Sequence, residues 1–241
     1  MANPKEPFSR AKILERRDVT PTLLVLKLER EGSFTFRPGQ FCTLGIDGIE
    51  RAYSLVSSPH ESFLEIFIEV VEGGALTPRF RELQPGDTLC IRPEAKGTFT
   101  LEPERQHQVM VATVTGVAPF ISMIRHAFHG DPPGNTLYLL QGASYQDEFT
   151  YREEMESLAS RHPDLFHYLP TVSRPSEARN RGWTGSSKRV NLIVEELIDK
   201  FSLRPDATQF YACGNPGMIE DVKKRLVPGG FPVKEEKYWM E

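Results

Sequence analysis

Two rhythms of apolar and polar residues divide the chain near residue 105. Before it, short β-rich runs alternate with turn signals: 22–28 (TLLVLKL), 40–46, 52–56, 63–71 and 88–91. Arg37-Pro38-Gly39, Gly48 and Gln84-Pro85-Gly86-Asp87 punctuate them. Short strands at this spacing predict an antiparallel barrel or sandwich. One helix is expected inside it, over 77–83, where Thr77-Pro78 offers a cap followed by proline at the first helical position. After residue 105 the pattern becomes strand, helix, strand. Apolar runs at 109–113, 136–141, 166–172 and 209–213 suit buried parallel strands, and 117–126, 151–161, 190–201 and 218–226 carry helical periodicity. That alternation predicts βαβ units and a doubly wound parallel sheet with helices on both faces. The expected organisation is therefore a β-barrel over 1–104 and an α/β domain over 105–241, joined at the polar stretch 102–107. No internal repeat or low-complexity tract interrupts it.

Composition adds exclusions. A length of 241 residues allows one large domain or two small ones, and the change of rhythm favours two. A net charge of -4 argues against a nucleic-acid-binding body. Cys42, Cys90 and Cys213 are too scattered for a metal knuckle and too few for a disulfide framework, which fits a reducing cytoplasm. No apolar run reaches a membrane-spanning length, and the start MANPKE leads into no long apolar stretch, so neither membrane insertion nor secretion is expected.

Six short groups carry candidate chemistry. In Arg51-Ala52-Tyr53-Ser54 a forked cation, a flat ring and a small hydroxyl sit together; alone, the group also suits an ordinary barrel strand with an edge arginine. Glu72-Gly73-Gly74-Ala75-Leu76-Thr77 frees backbone N–H groups before a helix and suits a diphosphate, or is a plain hairpin turn. Thr113-Val114-Thr115-Gly116-Val117-Ala118-Pro119-Phe120 and Cys213-Gly214-Asn215-Pro216-Gly217-Met218 both pass from a parallel strand into a helix. Ligands of open α/β sheets bind at such ends. Ser173-Arg174-Pro175, with Arg179, Arg181, Lys188 and Arg189 following, could hold a phosphate or form a solvated basic loop. The tail ends on Tyr238-Trp239-Met240-Glu241, two rings in need of a surface. His126 and His129 lack a third partner in the sequence, so no metal is assigned.

Taken in order, R-A-Y-S, G-G-x-L-T, T-G-V-A-P-F, S-R-P, C-G-N-P and the terminal Tyr-Trp resemble the ferredoxin–NADP(H) reductase superfamily, the short bacterial ferredoxin (flavodoxin)–NADP reductases in particular. The likeness runs from about Phe8 to Trp239. It implies an N-terminal FAD-binding antiparallel barrel and a C-terminal NADP-binding α/β domain. It further implies that Arg51 and Ala52 hold the FAD diphosphate, Tyr53 packs on the isoalloxazine and Ser54 sits by N5. Phe67, Ile68 and Val70 would line the adenosine and ribityl part, while Gly74, Ala75, Leu76 and Thr77 cradle the diphosphate. Thr115 and Cys213 would face the nicotinamide, Thr115 also lying near the flavin. Gly116, Gly214 and Asn215 would take the dinucleotide backbone. Ser173 and Arg174, helped by Arg181, would take the 2′-phosphate. Tyr238 or Trp239 would cover the flavin face until nicotinamide displaces it, making Ser54, Cys213 and Tyr238 the candidate catalytic groups.

Three positions depart from the family pattern. Val114 replaces the first glycine of Gly-Thr-Gly, Ser144 stands where many relatives place an NADP-binding arginine, and Met240-Glu241 follow the aromatic pair.

The implied reaction is hydride transfer from NADPH to FAD, followed by single-electron delivery to a ferredoxin or flavodoxin. A carrier is needed because three scattered cysteines cannot supply the four thiolates of an iron–sulfur cluster. Docking on Arg10, Lys12, Arg16, Arg17, Arg79 and Arg81 and a monomeric state are expected. An NAD(P)H-dependent reductase component of an oxygenase, a free-flavin reductase, and a non-catalytic docking subunit are the rival readings.

Overall fold

In the computed structural model, which describes residues 8–237, the chain divides into two compact units. The first extends to Thr100 and includes Ile121–His126; the second holds Leu101–Phe120 and the chain from Ala127 onward.

In the first unit, β1 (Ser9–Asp18), β2 (Leu23–Glu29), β3 (Phe41–Ile46), β4 (Ile49–Ser54), β5 (Phe63–Glu69) and β6 (Thr88–Ile91) form one antiparallel sheet in the order β4-β3-β6-β1-β2-β5. Its two edges meet where Leu55 bridges Ile66 and the Val56 amide donates to the Glu65 carbonyl at 2.8 Å. The result is a nearly closed six-stranded barrel. Period-two alternation explains the filling: Leu24, Leu26 and Leu28 from β2 meet Leu64, Ile66 and Ile68 from β5 in the buried core, with Cys42 and Leu44 from β3. Asp47-Gly48 joins β3 to β4 with both residues at positive φ (49° and 80°), as a two-residue hairpin requires.

Two features of this unit differ from the sequence pattern. The strand β1 (SRAKILERRD) has no counterpart among the predicted runs, because only Ala11 and Ile13 point into the core while charged side chains cover its outer face. A bulge between Ile13 and Glu15 turns Leu14 outward. The expected 77–83 helix shortens to α1 (Thr77–Phe80). Past its end, Arg16 Nη1 donates to the carbonyls of Arg81 and Leu83, both at 2.6 Å, satisfying acceptors that no backbone N–H of the short helix reaches.

After the barrel strands come β7 (His107–Thr113), α2 (Ala118–Ala127, of which Ile121–His126 count with the first unit), β8 (Thr136–Ala143), α3 (Arg152–Arg161), β9 (Phe166–Val172), α4 (Val194–Phe201), β10 (Thr208–Gly214), α5 (Pro216–Leu226) and β11 (Val233–Lys237), whose strands all belong to the second unit. All five strands are parallel, in the order β11-β10-β7-β8-β9. Val109, Val111, Leu140 and Phe210 of the sheet pack with Val194, Leu197, Ile219 and Val222 of α4 and α5. The predicted 190–201 helix begins as a 3-10 turn at Val190–Leu192 before α4. The edge strand β11 (VKEEK) was not legible, since its residues are mostly charged. It is tied down by ion pairs of Lys223 with Glu235 (2.8 Å) and Lys237 with Glu220 (2.7 Å). Among the described residues no helix is long and apolar enough to cross a membrane.

Candidate functional site

Strand β4 delivers Arg51, Ala52, Tyr53 and Ser54, which pair in register with Leu44, Thr43, Cys42 and Phe41 of β3. Arg51 and Ala52 are exposed, whereas Tyr53 and Ser54 are buried at 8% and 5% exposure. The arginine therefore stays available to an anion, with one N–H donated to the Glu50 carbonyl at 2.8 Å. Tyr53 packs edge-on against Phe80 of α1, 5.4 Å between centroids. Burial pushes its phenol well above the ordinary value, and its hydroxyl oxygen is buried without a hydrogen-bond partner. Buried polar atoms are rarely left so, and a ligand group is what such a hydroxyl lacks.

Beside it, the sequence-predicted lining residues divide. Ile68 and Val70 belong to the barrel core, while Phe67 sits on the opposite face of β5 with Glu65. Glu65 is nearly fully buried and paired with Arg125 at 2.9 Å, a contact no local signal announced. The Gly73-Gly74 turn is closed from within: the Thr77 hydroxyl accepts from the Val71 amide at 3.0 Å, and the Gly74 amide donates to the Val71 carbonyl at 3.0 Å. A side chain at Gly74 would meet Thr77 Oγ1 and the Val71 carbonyl at 3.0 Å, so the turn leaves little room for one.

In the second unit the strand order reverses between β7 and β10, the switch point at which open α/β sheets bind ligands. There, Thr113 Oγ1 accepts from the Asn215 amide at 2.8 Å, locking the two strand ends together. Neither loop has room for a Cβ: at Gly116 it would lie 2.3 Å from the Cys213 carbonyl oxygen, and at Gly214 (φ 118°) 2.3 Å from Thr113 Oγ1. Thr115 is half-buried, and Cys213 is fully buried in β10. Asn215 caps α5 by accepting from the Met218 amide at 3.1 Å, with Pro216 next. Val114 adopts φ 43°, a conformation a β-branched residue rarely takes.

The loop after β9 is the second part of this site. Ser173, Arg174 and Arg181 are all exposed. The Ser173 amide donates to the Ala143 carbonyl at 2.9 Å, and Asn180, buried, donates to the carbonyls of Ser144 (2.9 Å) and Arg174 (2.8 Å). Tyr145, absent from the sequence reading, is the centre. The Arg179 guanidinium lies 3.8 Å from its ring centroid, and Arg174 donates to its hydroxyl at 3.1 Å. The rule that ligands sit beyond the carboxyl ends of parallel strands points to Tyr145, two residues past β8.

Of the cations expected to meet a carrier, Arg10, Lys12 and Arg17 are exposed on β1. Arg16 is committed to carbonyls and Asp18, Arg79 to Asp47, and Arg81 to the Pro21 carbonyl. Tyr238 and Trp239 lie outside the described residues. The partnerless Tyr53 hydroxyl fits a flavin nucleotide on the first unit. The glycine-lined switch point and exposed Arg174 fit a second dinucleotide on the other.

Known proteins give the same division. Residues 11–100 match the oxidoreductase FAD-binding domain family and residues 110–224 the oxidoreductase NAD-binding domain family. The flavodoxin/ferredoxin–NADP reductase of Escherichia coli (strain K12) is 33% identical over 198 residues, 78% of this chain and 77% of that protein. The phenol hydroxylase P5 protein of Acinetobacter pittii (strain PHEA-2) is 32% identical over 90% of this chain, which spans 61% of that protein's length. Among solved structures, a ferredoxin NADP+ reductase from Neisseria gonorrhoeae with bound FAD and NADP superposes with a TM-score of 0.81. It is 26% identical, over 96% of this chain and 99% of the other.

Proposed function

The chain belongs to the ferredoxin–NADP reductase superfamily, and from that premise we propose that it is a reductase exchanging hydride with NADP(H) and single electrons with a ferredoxin or flavodoxin. The observation that carries this reading is the partnerless Tyr53 phenol on a barrel followed, in the same chain, by a glycine-lined switch point. The chemistry FAD supplies when bound is the conversion between a two-electron hydride and single electrons.

The chain's own residues bind and orient. Arg51, with Ala52 beside it and the backbone of Gly74, Ala75, Leu76 and Thr77, holds the FAD diphosphate. Tyr53 gives its ring face and its hydroxyl, and Ser54 holds a hydrogen bond near N5. Phe67 borders the remainder of that nucleotide, with Ile68 and Val70 offering backbone alone because their side chains fill the barrel core. Thr115 and Cys213 place the nicotinamide, and Gly116, Gly214 and Asn215 admit the dinucleotide close to backbone. Ser173, Arg174 and Arg181 take the 2′-phosphate, and Tyr238 or Trp239 shields the flavin ring. The exposed Arg10, Lys12 and Arg17 of β1 offer a cationic face to an acidic carrier, the protein acting as a monomer.

The match to the phenol hydroxylase P5 protein supports a second reading, a reductase component serving an oxygenase. Steady-state rates with NADPH and NADH, each against ferredoxin, flavodoxin and free flavin, separate the two. The first reading expects NADPH and a protein carrier to be favoured. A strong NADH preference overturns the 2′-phosphate role of Arg174, and a purified protein that stays colourless with added FAD overturns both readings.

A further inference from the structure

The groups around Tyr145 carry more than a phosphate site. Arg174 donates to the Tyr145 hydroxyl at 3.1 Å and lies 3.5 Å from Glu177 Oε1, while the Tyr145 hydroxyl donates to the other oxygen, Glu177 Oε2. Arg179, stacked on the same ring, is engaged by both oxygens of Asp147 at 2.7 and 3.2 Å. The two donors best placed for an anion at Arg174 are therefore already turned to one carboxylate. Both side chains stay about half exposed, at 54% for Arg174 and 47% for Glu177, so an incoming ligand can reach them.

We propose that Glu177 is a specificity-determining residue that competes with the coenzyme 2′-phosphate for Arg174 and Tyr145, lowering the discrimination between NADPH and NADH. The inference rests on the assignment of Arg174 to the 2′-phosphate. A phosphate monoester carries a charge near -2, so seating it on Arg174 means displacing the Glu177 carboxylate and keeping like charges close. A 2′-hydroxyl makes no such demand and can itself donate to Glu177. Ser144, on the other side of Tyr145 in sequence, supplies no cation to offset that repulsion.

The loop does not need the Glu177 side chain to hold its shape. Asn180 does that work: its Oδ1 accepts from the Gln146 amide at 2.8 Å, and its Nδ2 reaches the Ser144 and Arg174 carbonyls. Glu177 contributes its backbone there, donating to the Arg174 carbonyl at 3.1 Å and accepting from the Asn180 amide at 2.9 Å, and both bonds survive a side-chain change.

The test is calorimetric binding of adenosine 2′,5′-bisphosphate and of 5′-AMP to the FAD-loaded full chain. Wild type, Glu177→Gln, Glu177→Ala and Arg174→Gln are compared, with melting curves as the check on folding. Removing one negative charge near a doubly charged group at an exposed site tightens its binding by roughly three- to tenfold. Both Glu177 variants should show that gain for the bisphosphate, no gain for 5′-AMP, and a gain that shrinks in high salt. An unchanged affinity ratio, or parallel loss for both ligands, overturns the role of Glu177 while leaving Arg174 in place. A wild type that does not favour the bisphosphate, together with a silent Arg174→Gln, overturns the 2′-phosphate assignment and the inference with it.

Discussion

Gly116→Ala is the sharpest perturbation the fold offers. The new methyl would lie 2.3 Å from the Cys213 carbonyl oxygen, 2.6 Å from its carbon and 2.7 Å from the Gly214 Cα. Ordinary contact needs a retreat of roughly 1 Å. All three neighbours are backbone, so no side chain can swing aside. On one side β10 is held between β7 and β11 in parallel register; on the other, the 3-10 turn Val114–Val117 leads straight into α2. Overpacking against rigid surroundings costs about 1–3 kcal/mol, and the backbone-only clash puts this case in the upper half. For a unit of this size that lowers the melting temperature by roughly 4–10 °C. Opening the β7–β10 crevice should also weaken NADP+ binding about tenfold, as a misplaced dinucleotide cradle would, with FAD content unchanged because Gly116 belongs to the second unit. Calorimetric melting, NADP+ titration and the flavin-to-protein ratio read the three effects. Gly134→Ala is the control, with nothing within 4 Å of its added methyl. A Gly116→Ala protein that melts and binds NADP+ like wild type would refute the reasoning.

Val114→Gly should act in the opposite direction: relief of a left-handed L-residue is worth about 1–2 kcal/mol and glycine's extra chain entropy returns about 0.5–1 kcal/mol. A small rise in denaturation midpoint is thus expected, and a fall would mean φ 43° at Val114 carries no strain. Tyr53→Phe removes a buried, partnerless hydroxyl, so the apoprotein should gain about 1 kcal/mol, while the melting-temperature gain on adding FAD shrinks. Opposite signs in the two melts support the ligand role of the phenol, and a destabilised apoprotein contradicts it. His167, stacked on Tyr138 and beside Phe201, has its pKa lowered below 6.5, by burial first and by Lys200 next. The unfolded chain then takes up the proton first, so stability present above that value falls as pH drops through about 6.5 and the loss is complete below the folded pKa. Urea melts between about pH 7.5 and 5.5 check this, and His167→Asn should flatten part of the slope; a full slope in that variant assigns the effect elsewhere.

Much of the architecture was legible because it is written in local pattern. The run 22–28 and strand β2, or 166–172 and β9, nearly coincide, since alternation and buried apolar runs report on neighbours within a few residues. The ordered motifs were legible for the same reason, and they sufficed to identify the superfamily. Strand β1 failed because its buried residues are two among charges, and β11 because an edge strand in a parallel sheet tolerates a charged sequence. Ile68 and Val70 against Phe67 shows the same limit at the site: their proximity in sequence says nothing of which faces the barrel core.

Apart from β1 and β11, the sequence by itself determined element types, their order, the glycine-bearing turns and hence the family, because each is a short-range choice of backbone and period. The tertiary structure alone decided how far those choices extend and what the side chains are for. Arg16 binds the carbonyls that follow α1 from more than sixty residues away, Arg125 pairs with buried Glu65, and Tyr145 gathers two arginines and a glutamate from a distant loop. Such contacts depend on chain closure between remote positions, and no residue type or spacing announces which remote partner a polar side chain will satisfy.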